Sequence, residues 1–492
     1  LTFAARTLAI WLTPAAWLAL PALVLESGPD GLWIGLVLLV APLLALAVAG
    51  GVAPPASTGD ALFPVLALLL VVGILFWANL VLAGDVAAWL GAARWQGIAV
   101  AAGGAWILLV WRRSGRLVPV LLLVAGCGLV VPMLALAGGA RMGPLAAWER
   151  VASLPVFRLP ASSPWASPGR ELRAGRGPGT LVFEEEHRVT AAGPAQLHVR
   201  AVDGARVTES DWDLRPGDSV TLRPGDELRW PPGARLRFEV GKTVPGAPSS
   251  GISWADGRRG DSSRRWGLLL TLCGGALALL GFGIAGRVTR REMAVTGAAL
   301  IGVFAWGVVW AVYCALGSPD LFLGGVAIER LAWPPTLRGR PGVGGVVSAL
   351  LPLAALASFL ASSTALRARI GALDVTGDGE IGHDLGLWSA ILGGAALASL
   401  WPVEPWGLVL VACGLATSTL APAVLWPPGA GRGPWGTWAG LVGLVTFAAL
   451  AVAGQWTNVS ESWAGLPLAY PAVVAAPAAA LVLGLARRPR KS

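Results

Sequence analysis

Charge is what this chain is short of. Only 13% of its 492 residues are Asp, Glu, Lys or Arg, against about a quarter in ordinary soluble domains. Histidine is scarcer still, with three in total, and none lies in a long apolar run. A bis-histidine haem or a histidine-based quinone site among those runs is thereby excluded, and with it most electron-transfer roles. The four cysteines, Cys127, Cys273, Cys314 and Cys413, stand singly inside apolar segments. So spread, they offer neither metal-type spacing nor a disulfide framework and read as small apolar residues. The basic excess, 37 Lys and Arg over 28 Asp and Glu, is dispersed over short loops and one polar island. That pattern marks membrane topology and argues against a nucleic-acid partner.

What fills the space is hydrophobic: 55% of residues, with a mean hydropathy of +0.67. Apolar runs fall near 8–25, 32–50, 62–83, 97–111, 117–139, 267–286, 294–317, 344–362, 385–403, 406–426, 436–456 and 466–485. Each approaches the roughly 20 residues that cross a bilayer. They are continuously apolar rather than alternating, so helices are expected, not a barrel. The first run carries Trp11 and Trp17 and reaches Glu26 without a small-residue cleavage site, which reads as a retained span. Tryptophans such as Trp33, Trp89, Trp111 and Trp401 sit near run ends, where indole rings anchor at the interface. Glycine and alanine pairs suit close helix contacts with neighbouring helices and lipid.

Arginine-bearing loops set the orientation. Residues 111–116, 287–292, 365–369, Arg432 and the tail 486–492 all fall on one side when twelve spans are counted. The positive-inside rule makes that side cytoplasmic, with both termini there, as in an inner membrane protein. The loop 329–342 carries Arg330, Arg338 and Arg340 yet lands outside, unless 319–335 re-enters the membrane. The expected fold is a polytopic all-α membrane bundle of about twelve transmembrane helices, with one small extracytoplasmic all-β domain. In that scheme 1–139 holds five spans, 140–179 is a Pro/Gly-rich linker, 180–245 is the β domain, 246–266 is a second linker, and 267–492 holds seven spans.

The island contains a repeat. Leu-Arg-Pro-Gly-Asp occurs at 214–218 and again at 222–226, with a looser copy at 230–234. Pro-Gly favours a type II turn, and the flanking period-two alternation favours short strands. The spacing suits a meander closing into a sandwich or barrel. The phrase resembles the turn pattern of cupin-like and biotinyl-lipoyl-like modules. A metal-binding cupin would need clustered histidines, whereas His187 and His198 are eleven apart. Glu184, Glu185 and Glu186 beside Arg188 read as a solvated strand end.

Residues 374–385 give the sharpest local pattern. Asp374, Thr376 and Asp378 stand at positions 1, 3 and 5 of an EF-hand-like loop, Gly379 at 6 and Glu380 at 7. Position 12 is Leu385, with Asp384 one residue early, so the bidentate closing ligand is missing and only weak Ca²⁺ or Mg²⁺ binding is expected. No other cofactor, and no haem, is expected. Inside the runs, Asn79 is the one strongly polar residue, with Thr417, Ser418 and Thr419 weaker candidates for a substrate path. Hydrogen bonding between helices explains these residues without a substrate. Asp85 lies at the end of the third run and Glu404 in a tight turn; both read as interfacial charges.

Three functions fit. The first is a non-catalytic scaffold or assembly component of a cell-envelope complex, binding membrane or periplasmic protein partners through the β domain. The second is a permease-like transporter or flippase, although the runs lack a buried carboxylate. The third is an envelope-biosynthesis enzyme acting on lipid-linked glycan, which would draw on Asp85, Asp320, Glu329 and Arg330. High Ala, Gly, Arg and Pro content suits a GC-rich, bacterial genome.

Overall fold

The computed structural model describes residues 2–49, 62–111, 114–159, 179–203, 206–230, 234–256, 262–281, 289–317, 343–371, 385–401, 403–425, 434–456 and 470–486. Before the sheets come α1 (Thr2–Trp11), α2 (Pro14–Ser27), α3 (Pro29–Ala49), α4 (Leu62–Trp89), α5 (Arg94–Val110), α6 (Val118–Ala140) and α7 (Pro144–Ala152). After them come α8 (Gly251–Asp256), α9 (Ser262–Gly281), α10 (Arg290–Gly317), α11 (Gly344–Gly371), α12 (Leu385–Ala398), α13 (Pro405–Thr419), α14 (Ala421–Leu425), α15 (Pro434–Trp456) and α16 (Ala472–Ala486).

Each of the twelve apolar runs holds an apolar helix, but not each is span-length. Among the described residues five helices are long and apolar enough to cross a membrane: Gly31–Val48, Phe63–Trp89, Val118–Ala140, Arg290–Leu316 and Gly344–Ala368. A sixth arises if α1 and α2, bent by 60° at their junction, count as one span. In the other six runs the described apolar stretches are 10–17 residues long, among them Trp266–Leu280 within α9 and Thr437–Ala453 within α15. Five or six of the twelve expected spans are thus supported by helix length among the described residues.

The bundle's outer surface is itself apolar. Leu123 and Leu134 on α6, Ile107 on α5, Val445 on α15 and Leu481 on α16 are more than half exposed. Soluble proteins rarely expose large contiguous apolar patches, and this surface, with the span-length helices, points to a membrane protein.

The polar island folds as two antiparallel sheets. Strands β1 (Gly179–Val182), β6 (Glu227–Trp230), β3 (Ala195–Asp203) and β4 (Arg206–Leu214) form one in that order. Strands β5 (Ser219–Leu222), β2 (His187–Ala191) and β7 (Leu236–Arg237) form the other. The repeat builds the corners between them. In each copy the glycine takes positive φ, +96° at Gly217 and +90° at Gly225, as the third position of a type II turn requires. Asp218 closes the first turn, its amide donating to Arg215 O at 3.0 Å and its Oδ2 accepting from Arg215 N at 2.8 Å. Asp226 repeats both bonds with Arg223.

These turns do not make the expected meander. Consecutive strands β4, β5, β6 and β7 alternate between the two sheets. Val220 and Leu222 on β5 and Leu228 and Trp230 on β6 are all buried. Facing them across a sandwich buries both pairs, and sequence alternation alone reads the same for either arrangement.

The sandwich is tied to the bundle through its own stem. The entering chain pairs with the leaving chain: Leu159 N donates to Lys242 O at 2.8 Å and Val244 N to Phe157 O at 2.9 Å. Beyond the stem, α7 and α8 pack together with Trp148 and Trp254 centroids 4.8 Å apart. Trp254 is fully buried, and its indole N–H donates to Leu25 O at the end of α2, 3.0 Å away. Replacing Trp254 with Ala removes about 3–5 kcal/mol of large-to-small core packing. Limited proteolysis of the purified chain should then cut at residues 152–159 many-fold faster, while Trp254→Phe, which keeps the ring, should lie between the two.

Candidate functional site

The first span breaks at Thr13–Pro14. Proline supplies no N–H, and the helix restarts with Thr13 as its N-cap residue in an extended conformation. A break inside hydrocarbon leaves backbone groups that water cannot serve. Two other helices serve them. The Ala15 amide donates to Asn79 Oδ1 on α4 at 3.2 Å, while Asn79 Nδ2 donates to Leu75 O at 2.7 Å. On the carbonyl side, Ser358 Oγ on α11 donates to Leu12 O at 3.1 Å and accepts from Trp17 Nε1 at 3.2 Å.

Beside this break lies a cavity of about 250 Å³. Its long wall is an α4 stripe of Asn79, Leu82 and Val86 with Leu90 in the turn that follows, completed by α5, α11 and Pro14. Small residues Ala87, Ala101 and Ala355 line it, and Gly97 lets α5 approach α4, where a side chain would fall 2.2 Å from Ala83 O. Asn79 and Gln96 are its polar lining residues. Gln96 Oε1 accepts from Ala93 N at 3.0 Å at the start of α5. Nearby, Arg94 Nε lies 3.3 Å from Asp85 Oδ1.

The other polar candidates lie elsewhere. Thr417 Oγ1 shares its single proton between Thr271 O on α9, at 2.8 Å, and Cys413 O, at 2.7 Å. Ser418 and Thr419 donate to Gly414 O and Leu415 O, one turn back, at 2.8 and 2.7 Å. A side chain at Gly274 would collide with Thr417 at 2.2 Å, so glycine is what lets α9 approach α13. The structure thus joins Asn79 to the cavity, sets Asp85 in an ion pair, puts Thr417 in the α9–α13 seam, and has Ser418 and Thr419 bonded within α13. Asp374, Thr376, Asp378, Glu380 and Asp384, like Asp320, Glu329 and Arg330, lie outside the described residues. Among the described residues, no group of three or more metal-ligating side chains converges.

Arg367 has a place that its sequence context hides. It lies within α11 rather than in a loop, is buried, and donates through Nη1 to Leu109 O near the end of α5. A cation there compensates the terminal carbonyls of α5. The signal was its spacing from Ser358, Ser363 and Thr364 on the same helix.

In the sandwich, β4 is the edge strand of the larger sheet. On one face, His198 Nδ1 lies 2.7 Å from Asp211 Oδ1, and Arg200 bridges towards Glu209 and Glu227 at 4.0 and 3.3 Å. Arg229 Nη2 closes this network on Glu227 at 2.7 Å. The Arg229 hydrogen bond holds the Glu227 carboxyl below its ordinary range, against the opposing effect of burial. On the other face, Trp212 pairs with buried Leu197 across the ladder yet is 44% exposed. The three-stranded sheet does not extend over it.

His187 is fully buried against Phe183, at 5.2 Å, with neither ring nitrogen hydrogen-bonded. Burial lowers its pKa below 6.5, partly countered by Glu185, whose carboxylate lies 4.0 Å away. Burial would raise the pKa of Glu185, but the Thr243 amide bonded to its carboxylate and the neighbouring cations bring it below 4.5.

Comparison with protein-family models, curated proteins and solved structures finds no match to this chain. Its reading therefore rests on geometry.

For His187 the pH consequence has a definite sign. The folded sandwich holds a neutral ring whose pKa lies below the unfolded value of 6.5, so the unfolded chain binds the extra proton. Stability is full above pH 6.5 and falls as pH drops below it, before the carboxylates near 4.5 begin to contribute. Pulse proteolysis of segment 179–238 between pH 7.5 and 5 should show this loss, and His187→Phe should flatten it.

Proposed function

We propose that the chain is a multi-pass protein of a bacterial cytoplasmic membrane, acting as a scaffold or assembly component of an envelope complex. Its role in this reading is non-catalytic: partners dock on the β sandwich, which faces outward while both termini stay inside. The arginine distribution supports the orientation, and the twelve apolar helices, counting the bent pair once, match a twelve-pass bundle in number.

One observation carries the docking role: among the described residues no strand pairs with the outer edge of β4, and Trp212 on that strand is 44% exposed. Edge strands present free backbone donors and acceptors, and proteins commonly protect them. Here Glu209, Asp211 and Asp213 stand at alternate positions on one face and Trp212 on the other. A partner strand with basic residues opposite the carboxylates and an apolar residue covering Trp212 would extend the sheet by strand addition.

A second reading, a transporter or flippase, draws on the bent first span and the cavity at Asn79. Broken helices beside a midplane site recur in carriers. The apolar lining suits an amphiphile rather than an ion or sugar.

Native purification in mild detergent tests the docking reading. A stoichiometric protein should stay attached and be lost from Trp212→Ala and from Asp213→Lys, both variants keeping the parent's elution and melting profile. Retention of that partner by both variants, or a chain that purifies alone from its own membranes, contradicts the docking role and leaves the carrier reading ahead.

A further inference from the structure

The cavity beside the broken span has the dimensions of a single lipid chain. From Asn79 on α4 to Leu90 in the turn that follows, its long wall runs eleven residues, about 16 Å at the helical rise. That is half of a hydrocarbon core roughly 30 Å thick, the depth of one leaflet. Leu90 lies in the turn into α5, so this end lies at the interface and the Asn79 end near the midplane. A volume of about 250 Å³ over that length leaves a narrow slot, below the roughly 300–1,000 Å³ of sites for compact ligands.

Water does not suit it. A buried water needs two to four polar partners, and of sixteen lining residues only Asn79 and Gln96 carry polar side chains. Asn79 already bonds Ala15 and Leu75, and Gln96 bonds Ala93. An alkyl chain meets the lining without stranding any polar group.

At the interfacial end the chemistry changes sign. Arg94 begins α5, next to the lining residues Ala92, Gln96 and Gly97. Its Nε lies 3.3 Å from Asp85 Oδ1 and, like Nη2, is closed off by protein without a hydrogen bond, while the side chain as a whole is 30% exposed. The exposed part of the guanidinium can meet an anion from the lipid side, and the exposed amides of a helix start add positive potential. A phosphate oxygen supplies the complementary charge and the acceptor.

We propose that this slot binds one acyl chain of an anionic phospholipid, with its phosphate held at Arg94 and its chain end beside Asn79. The site is separate from the docking edge of β4 and involves no protein partner, so either proposal can fail alone.

The test uses the full chain in nanodiscs of phosphatidylglycerol or phosphatidylcholine, doped with the same lipid bearing a diazirine at the acyl end. Cross-links from phosphatidylglycerol should concentrate on residues 79–90 and 352–359. Ala87→Phe, which fills the slot, should reduce those cross-links at least tenfold while leaving cross-links to the exposed α6 face around Leu123 and Leu134 unchanged. Arg94→Gln should remove the preference for phosphatidylglycerol over phosphatidylcholine. Should Ala87→Phe not fold, the parent map and Arg94→Gln decide the matter. Cross-links spread evenly over the apolar surface, unchanged by Ala87→Phe, or an unaltered lipid preference in Arg94→Gln, overturn the proposal.

Discussion

Hydrocarbon offers no hydrogen-bond partner, so a span that breaks must be completed by its neighbours. The break at Thr13–Pro14 is completed from both sides, with Asn79 accepting from the Ala15 amide and Ser358 donating to the Leu12 carbonyl. Those two bonds fix where α4 and α11 stand relative to the bent first span. The cavity follows from that placement, because Pro14, Asn79 and Phe359 are part of its wall. A straight first span would need neither bond and would leave no such junction.

The sandwich obeys the opposite solvent. Its sheets bury one face each, its turns are closed by aspartates rather than by packing, and its charged network on β3, β4 and β6 stays accessible. What joins the two regimes is a short paired stem and one buried indole, Trp254, bonded to the end of α2. Because α2 is also the second half of the bent span, sandwich and slot share a structural element.

Much of this was legible in the chain. The apolar runs mark where helices form, and the Pro-Gly repeats mark turns with positive φ at Gly217 and Gly225. Asn79 stands out as the strongly polar residue in a run, and helix-to-helix bonding is the role the structure gives it. Its partner was not legible, since a bond across sixty-four residues depends on where the first span bends. The strand alternation could not separate a meander from a sandwich, because both bury the same positions. Arg367 looked like a loop charge because its burial depends on α5, far away in sequence. The aspartate after each Pro-Gly is the visible signal for the turn clamp at Asp218 and Asp226.

The most direct measurement is amide hydrogen exchange at residues 13–17 of the chain in nanodiscs, parent against Asn79→Leu. A buried hydrogen bond lost on one side leaves its donor unsatisfied at about 1–3 kcal/mol, which corresponds to a five- to hundredfold change in opening. If Asn79 completes the break, the Ala15 amide is protected in the parent and exchanges faster by that factor in Asn79→Leu. Equal exchange in the two proteins, whether both protected or both open, contradicts it.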